Sequence, residues 1–339
     1  MAIILVNGEF VTTLSEAVGF KTGIALSKNQ IIDIFPNDSS YKKILSMDDD
    51  CKIRIYSTDI DDIFMQLLYH LGNVDSPIPI PSSVRLLHKY KDDERLASIH
   101  EAIFEIYCTH FKRMIDEAVR SGNKTMNPEP FMKECTQKYG RDGLNMSYEL
   151  IVGNSEDLHC RLSSYRRFDW SNEVKLEDLF KSESLESKYG DFIDQRYIDY
   201  LHRNTDKLGE MNWRKFEGLT AEYFTREGYK VELGSGRNDG GIDLRLWKDN
   251  AGEGEAPLIL VQCKRHKQKI ERQIVKALWA DVQWEKADSG LIVTTSTLSK
   301  GSKEDCVARG YNIHQADKDI IRKWLENMRT PGSGVFMGK

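Results

Sequence analysis

Long hydrophobic runs are missing from this 339-residue chain: nowhere do 18 apolar residues follow one another, the length a helix needs to cross a bilayer. The opening MAIILVNGEF has neither a basic leader nor an apolar stretch of signal length, so no membrane span and no secretory signal are expected and the chain is read as cytoplasmic. The six cysteines, at 51, 108, 135, 160, 263 and 306, include no CxxC and no two pairs at metal-ligand spacing. Reduced thiols are therefore favoured over a zinc site or a disulfide framework. Residues 1–211 also lack an internal repeat, a P-loop and a GxGxxG, so nothing there signals phosphate-cradling loop chemistry. His88, His100, His110, His159 and His202 stand without partners at metal-binding intervals and read as solvated or core side chains.

What the chain does have is an uneven charge. The net −5 conceals −9 over Met1–Met211 and +3 over Asn212–Thr330, where 21 Lys and Arg face 18 Asp and Glu. A polyanion is expected to meet the C-terminal part. The length suggests two domains, or one with a long extension.

In order along the chain, residues 1–80 read as a β-rich module. AIILV and EFVTTL flank Asn7-Gly8, the dipeptide suited to a type I′ hairpin turn, and GIAL and IIDIF surround SKNQ. KIRIYS reads as a strand and DDIFMQLLYHL as a helix, before SPIPIPSS marks an extended connector near residue 80. Residues 81–211 read as mainly helical. From Asp92 to Gly122, Leu96, Ile99, Ile103, Ile106, Phe111, Met114, Ile115 and Ala118 recur mostly at steps of three and four, interrupted at His110, one long amphipathic helix serving a bundle core or a dimer seam. FMKECTQKYG reads as a helix, SYELIVG as a short strand and FIDQRYIDYLHRN as a helix; residues 331–339 read as a flexible tail.

Residues 212–330 carry the chemistry. Asn212 is a plausible N-cap, with Trp213, Phe216, Leu219, Tyr223 and Phe224 as the buried stripe of the first helix. Glu217 at the edge of that stripe is either a salt-bridging glutamate or a metal-facing one. The remaining order is three strands, helix, strand, helix, strand, helix: a mixed sheet flanked by helices. The strand LILVQCK ends on Gln262 and Lys264, which share one face while Cys263 takes the other. Eighteen residues separate Asp243 from Gln262, enough for an antiparallel neighbour to set Asp243 beside that pair. A carboxylate, a neutral oxygen donor and an ammonium at one sheet edge suit a hard cation and a water molecule aimed at a phosphodiester. The competing reading is a buried Asp243–Lys264 ion pair joining two strands. Asp239 is the second acid of NDGGID and reads more naturally as a turn residue beside Gly240-Gly241. Arg265, Lys267, Lys269 and Arg272, with Arg237 in the glycine-rich turn, are either a solvated face or phosphate contacts.

FEGLTAEYFTREGYKVELGSGRNDGGIDLRLW, LILVQCKRHK and ADSGLIVTTSTLSKGS together resemble the catalytic domain of Mrr-type (type IV) restriction endonucleases, within the PD-(D/E)xK nuclease superfamily. The pieces are the Phe-Glu pair on the first helix, the GID strand, the QxK strand and an apolar strand ending in paired threonines, over about the last 120 residues. Gln262 stands where an acid usually precedes x-Lys, a replacement typical of the Mrr branch. The resemblance implies a restriction-endonuclease-like α/β fold for about the last 120 residues; the patterns of residues 1–211 put an α+β region with a long helix ahead of it. It implies that Asp243 binds Mg²⁺ (or Mn²⁺) with Gln262 and the Cys263 main-chain carbonyl, Glu217 a further ligand, while Lys264 positions the attacking water. The expected function is a metal-dependent DNA endonuclease in restriction or anti-phage defence, with double-stranded DNA as substrate. Residues 1–211 would act as sensor, regulator or oligomerisation module, through a homo-oligomer or a defence-system partner. The alternatives are a catalytically inactive nucleic-acid-binding protein on the same fold and a junction-resolving nuclease.

Overall fold

The computed structural model describes residues 2–78, 80–122, 126–159, 162, 173–236, 241–265 and 268–330. In chain order the elements are β1 (Ala2–Val6), α1 (Asn7–Thr22), β2 (Ile24–Ala25), α2 (Lys28–Ile34), α3 (Ser40–Leu45), β3 (Lys52–Tyr56), α4 (Ser57–His70), α5 (Ser82–Tyr90), α6 (Glu94–Ser121) and α7 (Glu129–His159), which kinks at Gly140. Then come β4 (Val174–Lys175), α8 (Asp178–Lys181), α9 (Gln195–Arg203), a 3-10 turn (Thr205–Gly209), α10 (Trp213–Arg226), β5 (Tyr229–Leu233), β6 (Leu244–Lys248), β7 (Ile259–Lys264), α11 (Arg272–Glu285), β8 (Ser289–Thr294), α12 (Lys300–Arg309), β9 (Ile313–Ala316) and α13 (Lys318–Met328). No helix among the described residues is long and apolar enough to cross a membrane.

The chain divides into two compact units. One comprises Met1–Ile4, Arg54–Gln66 and Ser76–Arg167; the other comprises Leu5–Ile53, Leu67–Asp75 and Phe168–Lys339. In the first, α5, α6 and α7 surround Ile103, Phe131, Cys135, Met146 and Leu150. His100 and His110 are buried there. His110 Nε2 lies 2.7 Å from Glu134 at the bundle's edge, an ordinary side-chain pairing.

The second unit holds a five-stranded sheet in the order β5-β6-β7-β8-β9. Its first two pairings are antiparallel and its last two parallel. This is the mixed sheet between helices that the apolar runs of residues 212–330 predict. Val275, Leu278 and Val282 of α11 pack with Ile242, Leu260, Ile292 and Ile313 of the sheet. α10 packs on β5, β6 and β7, and its Tyr223 stacks on Trp324 of α13 with ring centroids 4.3 Å apart. Asn212 caps α10, its side chain accepting from the Arg214 N–H. The N-terminal segment is built into this unit through a fully buried Arg196. Its guanidinium pairs with Asp194 at 2.6 Å and donates to the Gly23 carbonyl at 3.0 Å.

Three local expectations are corrected. Asn7-Gly8 opens α1 instead of turning a hairpin. The Asn7 and Gly8 amides donate to the Cys51 and Asp49 carbonyls at 2.9 Å, and the buried Asn7 Nδ2 donates to the Met47 carbonyl at 2.7 Å. A Cβ on Gly8 would stand 2.9 Å from that of Asp49, so close approach explains the glycine. Phe10, Val11, Leu14, Ala17 and Val18 are buried at helical spacing, and that period overrides the β-preference of EFVTT. SKNQIIDI forms α2, started by a capping box between Ser27 and Gln30. SYELIVG lies within α7, where Met146 and Leu150 face the bundle core at i, i+4 spacing.

Candidate active site

The last turn before β6 is tight. Gly241 has φ +89°, a conformation that L side chains rarely adopt, and it delivers Ile242 and Asp243 to the sheet. The Asp243 N–H donates to the Val261 carbonyl at 2.9 Å and its carbonyl accepts from the Gly234 N–H at 2.8 Å. Leu244 pairs with Val261 in the antiparallel register, so Asp243 comes abreast of Gln262 one step further along.

Its carboxylate closes the ladder where backbone pairing stops. Asp243 Oδ2 accepts the Cys263 N–H at 2.6 Å. That peptide lies between Gln262 and Lys264, and strand alternation turns both of those side chains to the same face. The aspartate is buried, at 8% exposure; a hydrogen bond to an ionised acceptor in such surroundings is shorter and stronger than a neutral one.

Gln262 is equally buried. Its Nε2 donates to the Gly241 carbonyl at 2.8 Å, while Oε1 is buried without a hydrogen-bond partner. An amide oxygen left in that state costs about 1–3 kcal/mol unless something electropositive meets it. A Cβ at position 241 would come within 3.2 Å of Gln262 Nε2, so the glycine also leaves room for the amide. Lys264 is half-buried, opposite Thr294 in the parallel register with β8.

Glu217 reaches the other side of β7 from α10. Thr220, one turn on, lies 3.6 Å from the Cys263 sulfur. Glu217 itself is buried and held by Arg214 at 2.7 Å. Burial above all pushes the Cys263 thiol well up, and the negative charges of Asp243 and Glu217 add to it against Lys264. The thiol stays protonated, which removes it as a nucleophile or thiolate ligand.

The donors gathered here are oxygens: the Asp243 carboxylate, the Gln262 amide and the main chain of β7. Hard cations such as magnesium take this set, with one or two carboxylates sufficing. Among the described residues no group of three or more His, Cys, Asp and Glu has metal-holding geometry. A single-acid site completed by amide and main-chain oxygens is not of that kind.

Of the expected phosphate contacts, Arg265 donates to the carbonyls of Glu210, at 3.2 Å, and Met211, just ahead of α10. Arg272 lies 3.4 Å from Glu304 and 3.8 Å from Asp305, over Gly301. Lys269 is exposed. Arg237, Lys267 and Asp239 lie outside the described residues. The roles of Arg214, Thr220 and Gly241 escape a reading of the sequence; the glycine pair of GGID is the one local signal that a tight approach was needed.

Residues 208–325 match the restriction endonuclease family model Mrr_cat. No curated protein matches the chain. Among solved structures, the MspJI restriction endonuclease in complex with a 27-mer oligonucleotide is similar at 16% identity, covering 52% of this chain and 39% of that one, with a TM-score of 0.26. The chain thus spans about 39% of that relative's length, and a superposition at that score carries no structural argument.

Proposed function

We propose that the chain is a metal-dependent endonuclease that hydrolyses phosphodiester bonds of double-stranded DNA in restriction or anti-phage defence, with residues 1–211 as its sensing, regulatory or oligomerising part. The observation that carries this reading is the Asp243 carboxylate on the Cys263 N–H, between Gln262 and Lys264, inside the stretch that matches a restriction endonuclease family.

Asp243, the Gln262 Oε1 and the Cys263 carbonyl would hold Mg²⁺, with Mn²⁺ as substitute; the unpartnered amide oxygen fits that use. Glu217 joins as a further ligand by exchanging Arg214 for the cation. When bound, the ion supplies charge neutralisation at a non-bridging phosphate oxygen. Lys264, on the Gln262 face, orients the attacking water through its ammonium and stabilises charge gathering on the phosphorane oxygens. Water oxygen bonds to phosphorus, the P–O bond to the leaving sugar breaks, and the water proton passes to solvent. Exposed Lys269, with Arg237 and Lys267, meets the DNA backbone. Arg265 and Arg272 shape the site through their carbonyl and carboxylate partners and would reach DNA only by leaving them.

Supercoiled plasmid incubated with Mg²⁺ or Mn²⁺ tests the reading. The wild type should nick or linearise it, and Asp243→Ala and Lys264→Ala should not. Binding without cleavage by all three proteins would replace the enzyme with a DNA-binding protein, and cleavage confined to branched DNA would replace it with a junction nuclease.

A further inference from the structure

We infer that α6 is the seam of an antiparallel homodimer. The helix carries two apolar faces. The first, through Ile103, His110 and Met114, is buried in its own bundle. The second runs Phe104, Cys108, Phe111, Ile115 and Ala118, at steps of four, three, four and three. Phe104, Phe111 and Ile115 keep 41%, 38% and 39% of their surface exposed, and Cys108 is exposed as well. A mean spacing of 3.5 residues is that of a helix meeting another helix along a seam, and scattered surface apolar residues do not show it.

Spacing leaves the occupant open; the flanking charges name it. Glu105 and Lys112 are both exposed, seven residues apart on the same flank of this stripe. Two copies of α6 laid antiparallel about a twofold axis between Thr109 and His110 set Phe104 against the partner's Ile115 and Cys108 against the partner's Phe111. The same operation sets Glu105 against the partner's Lys112, and by symmetry Lys112 against the partner's Glu105. Such a contact is self-complementary, each residue meeting its opposite twice. A parallel pair sets like positions abreast and loses both ion pairs. The occupant is therefore a second copy of this chain, whether or not the nuclease proposal holds.

Sedimentation equilibrium of the full chain tests this, with Glu105→Lys, Lys112→Glu, the double exchange, and Phe111→Glu. The wild type should have the mass of two copies. Each single exchange turns two attractive pairs repulsive at once and should weaken association roughly tenfold; the double exchange should recover most of that loss. Phe111→Glu, which puts a charge into the middle of the seam, should leave a monomer. Circular dichroism reads the fold of every variant, and because positions 105 and 112 are exposed, both single exchanges should keep the wild-type helical signal below the melt. A monomeric wild type, single exchanges that associate unchanged, or a double exchange no tighter than the singles would each overturn the inference.

Discussion

Replacing Asp243 separates what its carboxylate does for the fold from what it does for cleavage. Its Oδ2 takes the Cys263 N–H at 2.6 Å in a buried setting. Asp243→Asn keeps an acceptor of the same shape: the charge-assisted bond, about 1.5–3 kcal/mol, becomes a neutral one of about 0.5–1.5, while the cost of burying a charge disappears. The two changes oppose each other, and the variant should unfold within about 1 kcal/mol of the wild type. Asp243→Ala leaves the Cys263 N–H buried without an acceptor and should lose about 1–3 kcal/mol. Both should cut plasmid at least roughly 100-fold more slowly, since the site loses the carboxylate just ahead of β6 that sits on the Cys263 N–H between Gln262 and Lys264. Urea unfolding followed by tryptophan fluorescence gives the first ordering, and gel-based nicking in Mg²⁺ gives the second. Alanine as stable as asparagine would refute the hydrogen bond. An asparagine variant that cleaves at the wild-type rate would refute the role of the charge.

Four further outcomes follow from the same geometry. Lys264→Ala should abolish nicking yet keep the rise in melting temperature that Mn²⁺ gives the wild type, because a water-handling residue is not a ligand; loss of that rise would make it part of the binding site. Gly241→Ala should cost about 1–2 kcal/mol from the left-handed backbone at φ +89° and slow cleavage through its 3.2 Å approach to Gln262, both read on the same two assays. Cys263 should be alkylated by iodoacetamide at pH 8 well after exposed Cys51 and Cys108, as peptide mass spectrometry would show. Burial lifts the Asp199 carboxyl from 3.8 to about 6, so the folded protein holds that proton more tightly than the unfolded chain. This group's contribution is therefore intact below pH about 4 and is lost as pH rises through 6, about 3 kcal/mol in all; Asp199→Asn should match the wild type at pH 4 and exceed it at pH 8 in urea titrations.

The C-terminal sheet could be read from the chain because its signals are short-range. LILV and GLIVT are apolar runs bounded by turns, and the two-residue period of a strand fixes that Gln262 and Lys264 share a face before any partner is known. Register follows from burial, since slipping β6 by one residue against β7 would turn Leu244 and Leu246 out of the core. The N-terminal 36 residues mislead for the complementary reason. Val and Thr raise β-preference in EFVTT, while Asn7 becomes a helix residue through carbonyls 38 to 44 positions away, which no local window contains.

The same distinction sorts the charged side chains. Asp243 could be placed because a strand edge and a neighbouring strand leave a carboxylate few positions to occupy. Arg265 and Arg272 could not. One answers to main-chain carbonyls 54 and 55 residues back and the other to acids of α12, and neither partner leaves a mark near the arginine. A basic run beside a candidate site therefore overstates its phosphate contacts whenever some of its members also hold the site together. Here Arg265 ties β7's exit to the residues just ahead of α10, the helix that carries Glu217. Substituting Arg265 should accordingly lower stability and cleavage together, whereas substituting Lys269 should weaken DNA binding alone and flatten its salt dependence.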